Sequence, residues 1–139
     1  MPNSRQNSES FEIMISNFED IILARQKVKF LMGEMCFSLL AQTRIVTAVS
    51  ELARNMVTHA GQGKMTLFQV DGKRKTRGLK CIFEDKGPGI QNIDEAMQEG
   101  FSTANSLGLG LGGAKKLCNE FKIESVPGKG TSISIIEWL

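Results

Sequence analysis

One apolar stripe dominates the chain. Between residues 38 and 60, Ile45, Val49, Leu52, Met56 and Ala60 recur at three- and four-residue intervals, which fixes an amphipathic helix with one face in a core. Gly61 and Gly63 stop it. Two runs with strand character follow at residues 64–70 and 79–84, joined by the polar segment 71–78, so this part reads as a β-hairpin. Its basic tip, Lys73-Arg74-Lys75, reads as a solvated turn. Upstream, Phe11, Ile13 and Ile15 alternate with Glu12, Met14 and Ser16 as in a half-buried strand. Residues 20–33 then carry Ile21, Ala24, Val28 and Leu31, continuing to Met35, at helical spacing, with Asp20 placed to cap that helix.

The second half is glycine-rich. Half of the 14 glycines fall between Gly87 and Gly113, interrupted by a short helical stretch at 92–98. A helix at 114–121, a strand at 122–126, the turn Pro127-Gly128-Lys129-Gly130 and a last strand at 131–138 complete the pattern. Hairpin-linked strands and grouped helices predict an α+β two-layer sandwich: one mixed, mostly antiparallel sheet with helices on one face.

The chain of 139 residues is the size of one domain, read as a polar segment at 1–10 and a folded domain at 11–139. Lys plus Arg at 17 against Asp plus Glu at 15 leave a net charge of +2, which argues against wholesale binding of nucleic acid. Three dispersed cysteines, Cys36, Cys81 and Cys118, with the single histidine His59 support neither a disulfide framework nor a zinc site, and they read as small packed hydrophobes. No apolar run approaches 18 residues and the first ten residues lack a signal-peptide core, so a cytoplasmic protein with no membrane association is expected.

Three segments carry chemistry. Glu51 and Asn55 lie four apart on the long helix, on one face, at the edge of its apolar stripe and toward a cleft. A carboxylate there can take a proton or orient a hydroxyl, and an amide oxygen can ligate Mg²⁺. The pair alone reads equally as an exposed helix edge with no task. Glu84-Asp85-Lys86-Gly87-Pro88-Gly89-Ile90 leaves a strand with an acid followed by two glycines, so Asp85 can accept from an exocyclic amine while Gly87 and Gly89 let a flat ring approach the backbone. In isolation it also reads as a tight turn capped by Asp85. Gly108-Leu109-Gly110-Leu111-Gly112-Gly113 precedes a helix whose first turn carries Lys115 and Lys116, a backbone suited to phosphate. A dinucleotide fingerprint is excluded, because the run follows a loop and no acid lies between Glu124 and Glu137.

In this order the segments resemble the N, G1 and G2 boxes of the GHKL superfamily, the Bergerat-fold ATPases. Ser50-Glu51-Leu52-Ala53-Arg54-Asn55, the Asp85 segment and Gly100-Phe101-Ser102-Thr103 are most similar to the RsbT-type serine/threonine switch kinases. The resemblance runs from about Ile13 to Leu139. It implies ATP and Mg²⁺, with Asn55 on the metal, Glu51 as base or hydroxyl-orienting group, and Asp85 on the adenine amine. It further implies Gly87, Gly89 and Thr131 around the adenine, and Gly108, Gly110 and Gly112 closing over the phosphates. Lys115 and Lys116 are added as phosphate ligands from charge and position.

The resemblance implies phosphorylation of serine or threonine on STAS-domain proteins of the stressosome and, after release, activation of a metal-dependent phosphatase. Two alternatives keep the fold: an anti-sigma factor that sequesters a sigma factor, and an ATP-sensing adaptor without chemistry. His59 ends the N-box helix, where it is expected to meet the helix dipole rather than accept phosphate. Residues 101–107, led by Phe101, are the expected contact with the acceptor protein.

Overall fold

Residues 9–98 and 110–139 are described by the computed structural model. In chain order they form β1 (Ser10–Ile15), α1 (Phe18–Glu34), α2 (Leu39–Ala60), β2 (Gly63–Asp71), a 3-10 turn (Lys73–Lys75), β3 (Arg77–Asp85), α3 (Ile93–Ala96), α4 (Gly110–Lys116), β4 (Glu120–Val126) and β5 (Gly130–Trp138). The strands make one sheet in the order β1-β2-β3-β5-β4. The α+β two-layer expectation holds, with one refinement: every described strand pair is antiparallel, so the sheet is not mixed.

α1 starts earlier than its apolar pattern. Asn17 is the N-cap, accepting the Asp20 N–H at 2.9 Å, while Asp20 Oδ2 reaches back to the Ser16 N–H at 3.0 Å. Asp20 is therefore not the cap; its carboxylate instead holds Ser16, the residue before the cap, through both the N–H and the hydroxyl. The buried face is Ile21, Ala24, Val28 and Met32, continuing to Met35, and Leu31 is only half-buried. α2 is capped by Ser38, whose Oγ accepts the Ala41 N–H at 3.1 Å, and stopped by Gly61 at φ 83°. Ile45, Val49, Leu52 and Met56 on its inner face pack toward Met65 and Leu67 of β2, Leu79, Cys81 and Phe83 of β3, and Ile133 and Ile135 of β5. The core is this single layer between helices and sheet. Among the described residues no helix is long and apolar enough to cross a membrane.

The glycine-rich run departs from expectation. The helix placed at 114–121 is α4 at Gly110–Lys116, and residues 120–126 are strand. Glycine disfavours helix locally, but Gly110, Gly112, Gly113 and Ala114 are all buried where α4 meets α2, and small residues let two backbones approach. Cys118 consequently lies in the turn after α4, half-buried, with its thiol donating to the Ala114 carbonyl at 3.4 Å. Cys36 is exposed at φ 69°, so Cys81 alone packs as a fully buried small hydrophobe.

Two contacts fasten the end of β5. Arg44 on α2 pairs with the buried Glu137 at 2.7 Å and donates to the Leu117 carbonyl at 2.8 Å, while Glu137 also accepts the Asn119 N–H at 3.0 Å. The Trp138 ring lies on Gly72 and Gly78, where an added Cβ would come within 2.8 and 2.6 Å of it, and its Nε1–H donates to Glu120 at 2.6 Å.

Candidate functional site

A cavity of about 230 Å³ opens between the second half of α2, the ends of β3 and β5, and the segments that carry α3 and α4. Leu52, Met56, Phe83, Ile90, Leu111 and Ile133 make its wall apolar, and Asn55, His59, Asp85 and Thr131 supply side chains with polar atoms. An apolar slot with few polar groups is the usual form of a small-molecule site.

The N-box pair divides. Asn55 lines the cavity. Glu51, one turn earlier, does not; it is 1% exposed, and neither carboxylate oxygen has a hydrogen-bond partner among the described residues. The expectation that both project from the core edge toward the cleft is corrected for Glu51. It stands three residues after the fully buried Ala48 and beside Leu52, inside the layer where α2 is covered. An unpartnered buried carboxyl group is costly, and such groups are kept for a task.

β3 delivers Asp85 to the cavity opposite Thr131 of β5. Asp85 Oδ1 accepts the Gly87 N–H at 2.9 Å, which orients the carboxylate and leaves Oδ2 with no partner among the described residues. The glycines here are required by contact. A Cβ on Gly87 would lie 2.5 Å from that of Ala60, and Gly89, at φ 78°, would place one 2.5 Å from the Val126 carbonyl.

Three residues beyond those expected to bind nucleotide also shape the site. Ser125 on β4 accepts the Ile90 N–H at 2.7 Å and bonds the Thr131 hydroxyl at 2.8 Å, so it ties the glycine loop to β5. Its signal is its place opposite Thr131 in the β4–β5 register. Gly130, at φ 130°, sits where any Cβ would collide with the Asp85 carbonyl; the Pro-Gly-Lys-Gly turn was its trace in the sequence. His59 holds its expected place in the last turn of α2 and also lines the cavity.

The G2 segment is placed in part. Gly108 and residues 101–107 lie outside the described residues. Gly110 opens α4 at φ 62° and Gly112 is buried within it, whereas Leu111 is the residue of α4 that reaches the cavity. Lys115 and Lys116 were expected in the first turn of a helix facing phosphate. They occupy the last turn of α4 and do not line the cavity, because the helix begins at Gly110.

Residues 41–138 match the family of histidine kinase-, DNA gyrase B-, and HSP90-like ATPases. The chain is a GHKL ATPase. Among relatives of this GHKL protein, the serine/threonine-protein kinase RsbT of Bacillus subtilis is 48% identical over 120 residues, covering 86% of this chain and 90% of RsbT. An anti-sigma F factor of Clostridium kluyveri is 32% identical over 130 residues, covering 91% of each chain. The GHKL fold also overlays a Mycobacterium tuberculosis structure of RsbU and RsbW domains, with a TM-score of 0.61, 16% identity and coverage of 93% of this chain. The chain spans 32% of that larger protein, and the likeness concerns the fold.

Proposed function

We propose that this GHKL protein is an ATP- and Mg²⁺-dependent serine/threonine protein kinase of a partner-switching pathway. The observation that carries the reading is the convergence of Asn55, Asp85 and Thr131 on one apolar cavity, with the unpartnered carboxyl group of Glu51 one helical turn behind it. The 48% identity to RsbT supports the same class of activity.

The residues present fit Mg·ATP. Asp85 Oδ2 is available to accept from the adenine amine, and Gly87 and Gly89 keep the ring's approach clear of side chains. Thr131, held by Ser125, supports the same end of the cavity. The Asn55 amide oxygen is a hard, uncharged ligand suited to Mg²⁺ beside phosphates. When bound, Mg·ATP supplies the γ-phosphoryl group and neutralises its charge. Glu51 then orients the acceptor hydroxyl or takes its proton, a role that gives its two buried oxygens the partner they lack. The resemblance would assign the phosphate end to the glycine run that includes Gly110 and Gly112, from which Leu111 reaches the cavity. The position of Lys115 and Lys116 in the last turn of α4 gives them no support as phosphate ligands.

The acceptors in this reading are STAS-domain proteins of a stressosome, and the released kinase binds and activates a metal-dependent phosphatase. The test is transfer of labelled γ-phosphate from Mg·ATP to STAS-domain proteins, with Glu51→Ala and Asp85→Asn as controls. Label on serine or threonine, lost in both variants, is expected. Absence of label on every acceptor while ATP still binds would count against the kinase. The similarity to an anti-sigma F factor favours one second reading, sequestration of a sigma factor. Direct recovery of a sigma factor by the purified protein would select it.

A further inference from the structure

The β2–β3 tip lies at the other end of the sheet from the cavity. Arg77 opens β3 and Asp85 closes it, eight steps along a nine-residue strand, or about 26 Å at roughly 3.3 Å per residue. Lys73, Arg74, Lys75 and Arg77 are all exposed, and none has an ion pair or a side-chain hydrogen bond among the described residues. One acid, Asp71, stands in the same tip. Since the whole chain carries only +2, the rest of it is slightly acidic and this turn is its positive pole.

The backbone presents these cations at a local cost. Arg74 (φ 58°, ψ 35°) and Lys75 (φ 63°) are consecutive non-glycine residues in the left-handed region, a conformation usually left to Gly or Asn. The turn is closed firmly around them: the Gly72 N–H donates to the Thr76 carbonyl at 2.7 Å, and the Thr76 hydroxyl to the Lys73 carbonyl at 2.6 Å. The Trp138 ring lies on Gly72 and Gly78 at its base.

We propose that this tip is a docking surface for a compact acidic segment of a protein partner, independent of the nucleotide cavity. The surroundings select that ligand. Glu120 is fixed beside Trp138, and Glu9 and Glu34 share a hollow with Arg77, so carboxylates frame the tip. That frame repels an extended polyanion such as a nucleic-acid backbone or an anionic lipid sheet, and three or four neutralised phosphates give little nucleic-acid affinity at physiological salt. A short run of Asp and Glu can meet Lys73, Arg74 and Lys75 at the exposed crest of the turn, away from the hollow that Arg77 shares with Glu9 and Glu34.

The test is an NMR titration of the isotope-labelled full chain with an eight-residue Asp/Glu peptide, beside a Gly/Ser peptide of equal length. Amide shifts confined to residues 71–78 and 138–139 are expected, with affinity reduced at least tenfold by K73E/K75E and by raised salt. ATP-analogue binding should be unchanged in that variant. Arg74→Gly, which suits the left-handed backbone, should weaken the peptide while leaving Tm unchanged or higher. The proposal is overturned if shifts spread over the other lysines, if neither variant changes affinity, or if a short RNA or phosphatidylglycerol vesicles bind this tip more tightly than the peptide.

Discussion

Replacing Glu51 by methionine should make the protein more stable and inactive at once. The carboxyl group is 1% exposed and both its oxygens lack a hydrogen-bond partner. Each buried polar atom left without a partner costs about 1–3 kcal/mol. Methionine keeps the length and helix propensity of glutamate, and its apolar side chain suits neighbours such as Ala48 and Leu52. A gain of about 2 kcal/mol is the central expectation after allowing for some repacking strain. For a chain of 139 residues, an unfolding entropy of about 2.1 cal/mol/K per residue converts 1 kcal/mol into about 3 °C, so Tm should rise by about 5–8 °C. Scanning calorimetry of wild type, E51M and E51Q gives the comparison, and γ-phosphate transfer gives the activity. Glutamine, which keeps the shape and two polar atoms, should gain less than methionine and transfer no phosphate. A lower Tm in both variants would refute the reasoning, since it would mean that Glu51 is satisfied by a group that stabilises the fold.

Asp85→Asn retains an oxygen for the Gly87 N–H but loses the second carboxylate acceptor, so nucleotide affinity should fall at least tenfold, by calorimetric titration, with Tm nearly unchanged. Gly130→Ala forces a Cβ onto the Asp85 carbonyl at φ 130° and should cost about 2–4 kcal/mol in denaturant unfolding, with loss of nucleotide binding. Burial pushes the Cys81 thiol from 9.0 up to about 12, with the nearby Cys118 adding to the rise. The folded state therefore holds that proton while the unfolded chain releases it above pH 9. The contribution is intact below pH 9 and is lost as pH rises toward 12, about 1 kcal/mol of it by pH 10. Burial also raises the Cys118 thiol, to about 11, so it adds a similar decline; urea unfolding at pH 8 and pH 10 should show both, with Cys81→Ala removing about half and Cys81→Ala/Cys118→Ala flattening it.

What the sequence disclosed depended on how local the signal was. The α2 stripe is a repeating pattern within one helix, and Asp85 with its glycines follows a strand directly, so both were legible from neighbours alone. α4 was not, because its helix is held by burial of Gly110, Gly112 and Gly113 against α2, which no local preference encodes. The misplacement of Lys115 and Lys116 followed from that one boundary. Asn17 and Asp20 offer the same capping chemistry three residues apart, and only the folded backbone, extended at Asn17 with the Asp20 N–H on its side chain, decides between them. For Glu51 the helical angle gave direction but not depth, since burial is set by what covers α2. Ser125 faces Thr131 only six residues on, across the β4–β5 turn, but its role in holding the glycine loop rests on the Ile90 N–H, 35 residues back in the chain, which no local pattern brings to it.

Trp138 is the lone tryptophan and there is no tyrosine, so the ultraviolet emission of this protein is in effect the signal of one indole. That indole is seated on Gly72 and Gly78 with its nitrogen bound to Glu120, at the opposite end of the β3–β5 ladder from Asp85 and Thr131. Ligand entering the cavity cannot quench it by contact. A shift in emission wavelength on adding nucleotide that persists in K73E/K75E, where the adjacent basic turn no longer attracts anions, would therefore be a reading of mechanical transmission along two paired strands, obtained without a label.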